Sequence, residues 1–335
     1  MEGWHIGARR GGRGARRRRF LGVFGHTNVD HIASVPAFPP MNQSIEITRF
    51  ETLWGGTAAN IAAAAARQGV PVALASFVGE DFPHQFESHL REVGVDLGDL
   101  DRVQGYPTPE CYIFSDGADN QVAFVIQGPM ADADGLRMQR GALRDCERVH
   151  LATGNPRYHI AVAKEAHRMG LPVAFDPGQE LHYKWSPRPF MEMLGLTDLL
   201  FLSEAEMRCT LKYAGISRIE DLLDDVGTIV ITHGREGSRL LRRGARAVRA
   251  PAIEAPHVED TTGAGDGFRA GYYSGLWRGL SARDCMLLGA ATASFIVEAR
   301  GPQTNMPTFE EAWARAGTAG AGRRASGWNA RSRRR

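Results

Sequence analysis

Between Val258 and Ala270 the chain reads Glu-Asp-Thr-Thr-Gly-Ala-Gly-Asp-Gly-Phe-Arg, with Thr262-Gly263-Ala264-Gly265-Asp266 at its centre. Three small residues in a row leave backbone N–H groups bare, so an anion can approach them closely. The apolar, small-residue-rich stretch over 268–280 predicts a helix. That puts the bare amides at a helix N-terminus, where unpaired donors and the dipole favour negative charge. Asp266 is then a carboxylate held beside an anion site. The juxtaposition makes chemical sense if the carboxylate takes a proton from a hydroxyl about to attack a phosphate. The string is not a Walker loop, since no Gly-Lys-Ser/Thr follows, nor a dinucleotide fingerprint, which needs a third glycine in an early strand–helix unit.

Other residues of suitable type lie upstream. In Gly55-Gly56-Thr57-Ala58-Ala59-Asn60 the paired glycines let a polyhydroxylated ligand touch backbone, and Asn60 supplies an amide donor and acceptor one helical turn later. Asp30 offers a carboxylate to two vicinal hydroxyls; the plain alternative is a turn-forming aspartate. Gln121 either reads a ligand from above or belongs to a polar hairpin turn with Asn120. Ser203 and Glu206 have the spacing of a capping box, which the spacing alone favours; the functional alternative has Glu206 hold Mg²⁺ through water. Thr232-His233-Gly234-Arg235-Glu236-Gly237 brings backbone close to a nucleotide phosphate, or is a tight strand connection. No zinc spacing and no Ser/His/Asp arrangement is present.

Short apolar runs over 21–25, 72–77, 148–152, 173–175, 199–202 and 228–232 alternate with helical patterns, notably the alanine-rich 57–68. The alternation predicts an α/β domain with a doubly wound, mostly parallel sheet. Ligands bind such sheets outside the carboxyl ends of the strands. Asp30, Asp176, Ser203, Thr232 and the loop before Gly263 are all predicted to fall there. The segments 44–54 and 109–126, the second a hairpin, do not fit the alternation and are predicted to pair as a small β lid.

A chain of 335 residues with 43% hydrophobic content can bury a large core, and no apolar run approaches the roughly 18 residues of a membrane span. Cys111, Cys146, Cys209 and Cys285 are scattered, which points to a reduced, cytoplasmic protein without a disulfide framework. Residues 1–19 hold seven arginines and one glutamate, and residues 317–335 six arginines and no acid. With +6 at each end and +2 overall, the body carries about −10. Both Gly/Ala/Arg-rich ends lack periodicity and are predicted to be disordered, over 1–19 and 316–335, flanking a domain over 20–315. Nucleic-acid contact through them is the weaker reading.

Taken in order, Gly55-Gly56 with Asn60, Thr232-x-Gly234-x-x-Gly237 and Asp260-Thr-Thr-Gly-Ala-Gly-Asp266-Gly-Phe268 resemble the ribokinase-like (PfkB) carbohydrate and nucleoside kinases over roughly residues 20–315. Within that family Gly25-His-Thr-Asn-Val-Asp30, Asp119-Asn-Gln-Val122, Ala152-Thr-Gly-Asn155, Phe175-Asp-Pro-Gly-Gln179 and the stretch from Gly289 into Gln303-Thr-Asn305 resemble the archaeal-type nucleoside kinases, known for phosphorylating cytidine, inosine and guanosine from ATP with Mg²⁺. The resemblance implies a Rossmann-like fold with lid segments near 31–54 and 107–128, often dimeric through the lids. It implies Asp266 as catalytic base and the amides of Gly263, Ala264 and Gly265 as the anion hole. Asp30, Gly56 and Asn60 would hold ribose, and Gln121 and Asp176 would line the nucleoside pocket. Thr232, Gly234 and Gly237 would contact ATP, with Ser203 beside them and Glu206 on the metal. The family's Asn-x-x-Glu is Ser203-x-x-Glu206 here, and Arg269 stands where a small or apolar residue is common; as a hypothesis, Arg269 stabilises the transferring phosphate.

The expectation is therefore an ATP- and Mg²⁺-dependent kinase of a ribonucleoside 5′-hydroxyl. The choice of ATP or ADP and any K⁺ requirement stay open. The alternatives are a kinase of ribose, ribose 1-phosphate or fructose 6-phosphate, with Arg157 as the cation a phosphorylated substrate needs, or a non-catalytic binding protein.

Overall fold

The computed structural model describes residues 19–118, 120–132 and 135–320. Asp119 and most of the two arginine-rich ends lie outside the described residues. The strands are β1 (Leu21–Phe24), β2 (Asn28–Ser34), β3 (Arg49–Gly55), β4 (Val72–Gly79), β5 (Asp96–Val103), β6 (Glu110–Ser115), β7 (Gln121–Ile126), β8 (Val149–Leu151), β9 (Val173–Phe175), β10 (Leu199–Ser203), β11 (Thr228–Thr232), β12 (Ser238–Arg242) and β13 (Val248–Ala250). Among the described residues they form a nine-stranded sheet in the order β13-β12-β11-β10-β9-β8-β1-β4-β5 and a four-stranded sheet in the order β3-β2-β6-β7. The large sheet is parallel from β5 to β11; β12 pairs antiparallel with β11, and β13 antiparallel with β12. The expected α/β architecture with a β lid is what the chain adopts.

Helices cover both faces of the large sheet, which is why its central strands read as unbroken apolar runs. On one face Leu21, Leu74 and Phe201 pack under the helices Thr57–Arg67, Ala264–Trp277, Ala282–Ile296 and Phe309–Thr318. On the other, Phe24, Phe175 and Ile231 pack under Pro156–Arg168, Pro187–Leu194 and Glu204–Ala214. Each such large side chain contributes about 1.5–3 kcal/mol by leaving water. The run Ala58–Ala65, six alanines with Asn60 and Ile61, combines high helix propensity with mostly methyl-sized side chains. The helix it forms is buried over all eight positions.

Three expectations change. Asp30 does not follow a strand end: it lies inside β2, a lid strand hydrogen-bonded on both sides, to β3 and β6. Asn28 and Asp30 are turn-forming types, but pairing on two edges overrides that preference. The second lid strand begins at Arg49, so only the later part of 44–54 is strand. At the other end the helix Phe309–Thr318, opened by a capping box from Thr308 to Glu311, carries ordered chain past residue 315.

Candidate active site

The glycine turn lies where the helix Ala264–Trp277 begins. Gly263 is its N-cap at φ 76, a left-handed conformation, and no side chain caps the helix. A Cβ on Gly263 would lie 2.2 Å from Pro302 Cβ, so both backbone and space demand glycine. Asp260 braces the turn: its carboxylate accepts from the Thr262 amide at 2.9 Å and the Gly301 amide at 3.0 Å. The Ala264 amide donates 3.2 Å to the Thr261 carbonyl.

Asp266 stands on the first turn of that helix. Asn60 Nδ2 donates to its Oδ2 at 2.8 Å, and Gln303 Nε2 donates to Asn60 Oδ1 at 2.9 Å. Gln303 thus fixes the Asn60 amide with its NH₂ towards the carboxylate. Burial, with the charges of Asp176 and Glu206, pushes the Asp266 carboxyl up to about 7, against the lowering effect of Asn60 and Arg269. Asp266 is nevertheless partly solvent-exposed, a carboxyl that an incoming hydroxyl could reach.

Asp30 faces it from the lid. Burial first, then the charges of Asp266 and Asp260, raises its carboxyl to about 7, although Asn28 donates to it. Gly55 makes room for it: a Cβ there would lie 2.1 Å from Asp30 Oδ2. Gly56, at φ 93, would place a Cβ 2.5 Å from the His26 carbonyl oxygen. The two glycines therefore keep the helix start and the lid strand in backbone contact. Two nearby carboxyls with raised affinity for protons form a site suited to accepting hydrogen bonds from hydroxyls.

Asp176, just past β9, is committed to Arg269. The guanidinium donates from Nε at 2.7 Å and from Nη2 at 3.3 Å, and from Nη1 to the Gly265 carbonyl at 3.3 Å. Both side chains are buried. Arg269 therefore braces the glycine turn from behind. Breaking such a pair by removing one partner leaves an uncompensated buried charge. In this geometry Asp176 meets Arg269, not an open pocket.

Ser203 and Thr232 are register partners at the ends of β10 and β11. Ser203 and Glu206 form the capping box: Ser203 N donates to Glu206 Oε2 at 2.5 Å, and Glu206 N to Ser203 Oγ at 3.3 Å. Burial and the Asp176 charge raise the Glu206 carboxyl while Arg269 lowers it. Gly234 and Gly237 have φ of 54 and 92, and a Cβ on Gly237 would lie 2.3 Å from the Ala250 carbonyl oxygen. Gln121 opens β7, exposed along its whole length, and Arg157 is exposed at the start of its helix. No group of three or more His, Cys, Asp or Glu residues arranged for a metal occurs among the described residues. A Mg²⁺ ion needs no such cage, since phosphates and water supply most of its ligands, and the buried Glu206 carboxylate fits that role. No helix among the described residues is long and apolar enough to cross a membrane.

Sequence reasoning missed Gln303, Asp260 and the Asp176–Arg269 pair as parts of the site. Gln303 meets Asn60 across 243 positions, and no local pattern encodes that contact. Asp260 stood in the motif without a role.

The profile described as pfkB family carbohydrate kinase matches residues 18–309. The chain is 36% identical over 288 residues to a nucleoside kinase of Methanocaldococcus jannaschii, covering 86% of this chain and 93% of that one. The crystal structure of the M. jannaschii nucleoside kinase superposes with a TM-score of 0.84 at 34% identity, over 91% of this chain and 100% of the other. An ATP-dependent ribose-1-phosphate kinase of Halopiger xanaduensis is 30% identical over 254 residues, 74% of this chain and 81% of that one. The chain belongs to the pfkB family of carbohydrate kinases, and it is a kinase.

Proposed function

We propose that this kinase transfers the γ-phosphoryl group of ATP to the 5′-hydroxyl of a ribonucleoside. The observation that carries the reading is the Gln303–Asn60–Asp266 chain facing Asp30 across the seam between the two sheets. Asp30, with backbone at Gly56, holds the ribose hydroxyls, and Asn60 reaches both the sugar and the base. Asp266 takes the 5′-hydroxyl proton as the oxygen attacks the γ-phosphorus in line. The bond from that phosphorus to the β–γ bridging oxygen breaks, and ADP leaves. Gly263, Ala264 and Gly265 place their amides around the transferring group, where preorganised donors meet the developing charge. The Ala264 amide must exchange its carbonyl partner for the phosphate. Thr232, Gly234, Gly237 and Ser203 line the nucleotide side. Mg²⁺ at Glu206 neutralises phosphate charge when bound. Asp176 acts through Arg269, and Gln121 reads the substrate from the lid.

The name of one relative, a nucleoside kinase, supports the acceptor, while that of another, an ATP-dependent ribose-1-phosphate kinase, supports ATP as donor and favours a sugar phosphate as the rival acceptor. Transfer from ATP, and from ADP as a control, to a panel of ribonucleosides, ribose, ribose 1-phosphate and fructose 6-phosphate separates them. We expect 5′-monophosphates from nucleosides; activity confined to sugars or their phosphates overturns the nucleoside reading.

The lid supports a homodimer. Val122, Phe124 and Ile126, on one face of β7 by strand alternation, are 41%, 61% and 42% exposed, and Phe50, in register with Val122 through Ala33 and Phe114, is 53% exposed. A contiguous apolar strand face of that kind marks a protein interface, and a second lid offers a matching one.

A further inference from the structure

A second group of polar side chains gathers around the buried Glu180 where the lid meets the sheet, and the phosphoryl-transfer chemistry does not use it. Glu180 follows β9 and is 5% exposed. Its Oε1 accepts from Gln127 Nε2 at 2.8 Å and from the Tyr183 hydroxyl at 2.9 Å, and lies 3.3 Å from His26 Nε2. Its other oxygen, Oε2, is buried with no hydrogen-bond partner, and so is Gln127 Oε1. Both ring nitrogens of the fully buried His159 are likewise unpartnered. Burial pushes the Glu180 carboxyl up, but His26, Gln127 and Tyr183 together hold it down at about 2, so it is ionised. Leaving an ionised carboxylate oxygen buried without a donor is costly.

The position of the group says what supplies the donors. His26 joins it to the proposed ribose site: the His26 carbonyl abuts Gly56 and accepts from the Ala58 amide at 3.1 Å, while its ring faces Glu180. Gln127 follows the last residue of lid strand β7. Because His26 connects the two, a nucleoside with its ribose at Asp30 and Gly56 would meet this group with its base. The Gln127 amide is oriented by its own donation to Glu180, so its oxygen is an acceptor. Two neighbouring acceptors, one of them charged, call for two neighbouring donors. Guanine presents them on one edge, N1–H and the N2 amine. Hypoxanthine keeps only N1–H, and cytosine and adenine set a ring acceptor beside a single amine.

Resting on the nucleoside-kinase reading, we propose that Glu180 and Gln127 read the base and select guanosine through its N1–H and N2 amine. A buried hydrogen-bonding site strongly rejects analogues that leave its groups unpaired.

The test compares guanosine, 7-deazaguanosine, inosine, 1-methylguanosine and cytidine with the full-length enzyme and ATP, measuring kcat/KM and nucleoside binding by calorimetry without ATP. We expect guanosine and 7-deazaguanosine to be equivalent and inosine about tenfold weaker. 1-Methylguanosine and cytidine should be weaker by about 100-fold or more, chiefly through KM. Glu180→Gln should narrow the gap between guanosine and cytidine and leave the KM for ATP unchanged, with its fold checked by thermal unfolding. If that variant does not fold, the wild-type series stands alone as the test. Equal use of guanosine and 1-methylguanosine, or a preference for cytidine, overturns the base assignment while leaving the nucleoside reading intact. Turnover of sugars with none of any nucleoside overturns both.

Discussion

Strand β4 of the large sheet is buried at all eight of its residues, whereas β7 of the small sheet is exposed at all six. The large sheet has helices on both faces and a continuous core. The small sheet has no such cover on its outer strand. The proposed chemistry uses one carboxylate from each, Asp266 from a helix packed on the large sheet and Asp30 from a lid strand. On that proposal the densely packed body positions the base and the anion turn, while the lid brings the group that holds the acceptor. Changes in the body should strike the chemical step, changes at the seam should strike acceptor binding, and changes on the outer lid should strike assembly.

The largest of these effects is expected in the body. Gly263→Ala forces a side chain into φ 76 and against Pro302 at 2.2 Å, displacing the anion turn. Loss of a preorganised donor to developing charge lowers kcat by about 10²–10³-fold; steady-state kinetics at saturating ATP and nucleoside reads it, and an unchanged kcat would break the assignment of this turn. At the seam, Gly55→Ala pushes Asp30 from its place. KM for the acceptor should rise about tenfold or more, with KM for ATP unmoved. A rise in both would mean that the seam does not separate the two substrates.

Smaller effects follow from the carboxyls. Asp266 and Asp30 are raised from 3.8 to about 7, so kcat/KM should fall as pH drops below about 7, where the base is protonated. Asn60's hydrogen bond lowers the Asp266 carboxyl, and Gln303 holds Asn60 in place. Gln303→Ala should therefore move that acid limb to higher pH, by less than about one unit, and keep most of the activity at pH 8.5. On the outer lid, Phe124→Asp should weaken self-association in sedimentation velocity and change kcat least of all; an unaltered dimer would place the interface elsewhere.

The body was more legible than the lid for the same physical reason. Fully covered parallel strands must be apolar throughout, so runs such as 199–202 declare themselves. Strand β2, Asn-Val-Asp-His-Ile-Ala-Ser, carries no such run, and β5 hides behind three aspartates at a sheet edge. Thr262–Asp266 and Gly55-Gly56 were readable because backbone approach demands glycine. The contact of Asn60 with Asp266 joins positions 206 apart. Only the closure of the sheet reveals that Asn60 orients a carboxylate. Likewise Arg269 sits one turn after Asp266, but its partner Asp176 comes from another strand end.

Phosphoryl transfer by Asp266→Asn tests the central claim most directly. Single-turnover formation of nucleoside 5′-monophosphate should slow by about 10²–10⁴-fold, with ATP and nucleoside affinities retained. The same variant should gain thermal stability at pH 7.5. The parent carboxyl has a folded-state value above its ordinary one, so its contribution to stability falls as pH rises from about 4 through about 7, and the amide removes that loss. Transfer at nearly the parental rate would contradict the assignment of Asp266 as the base.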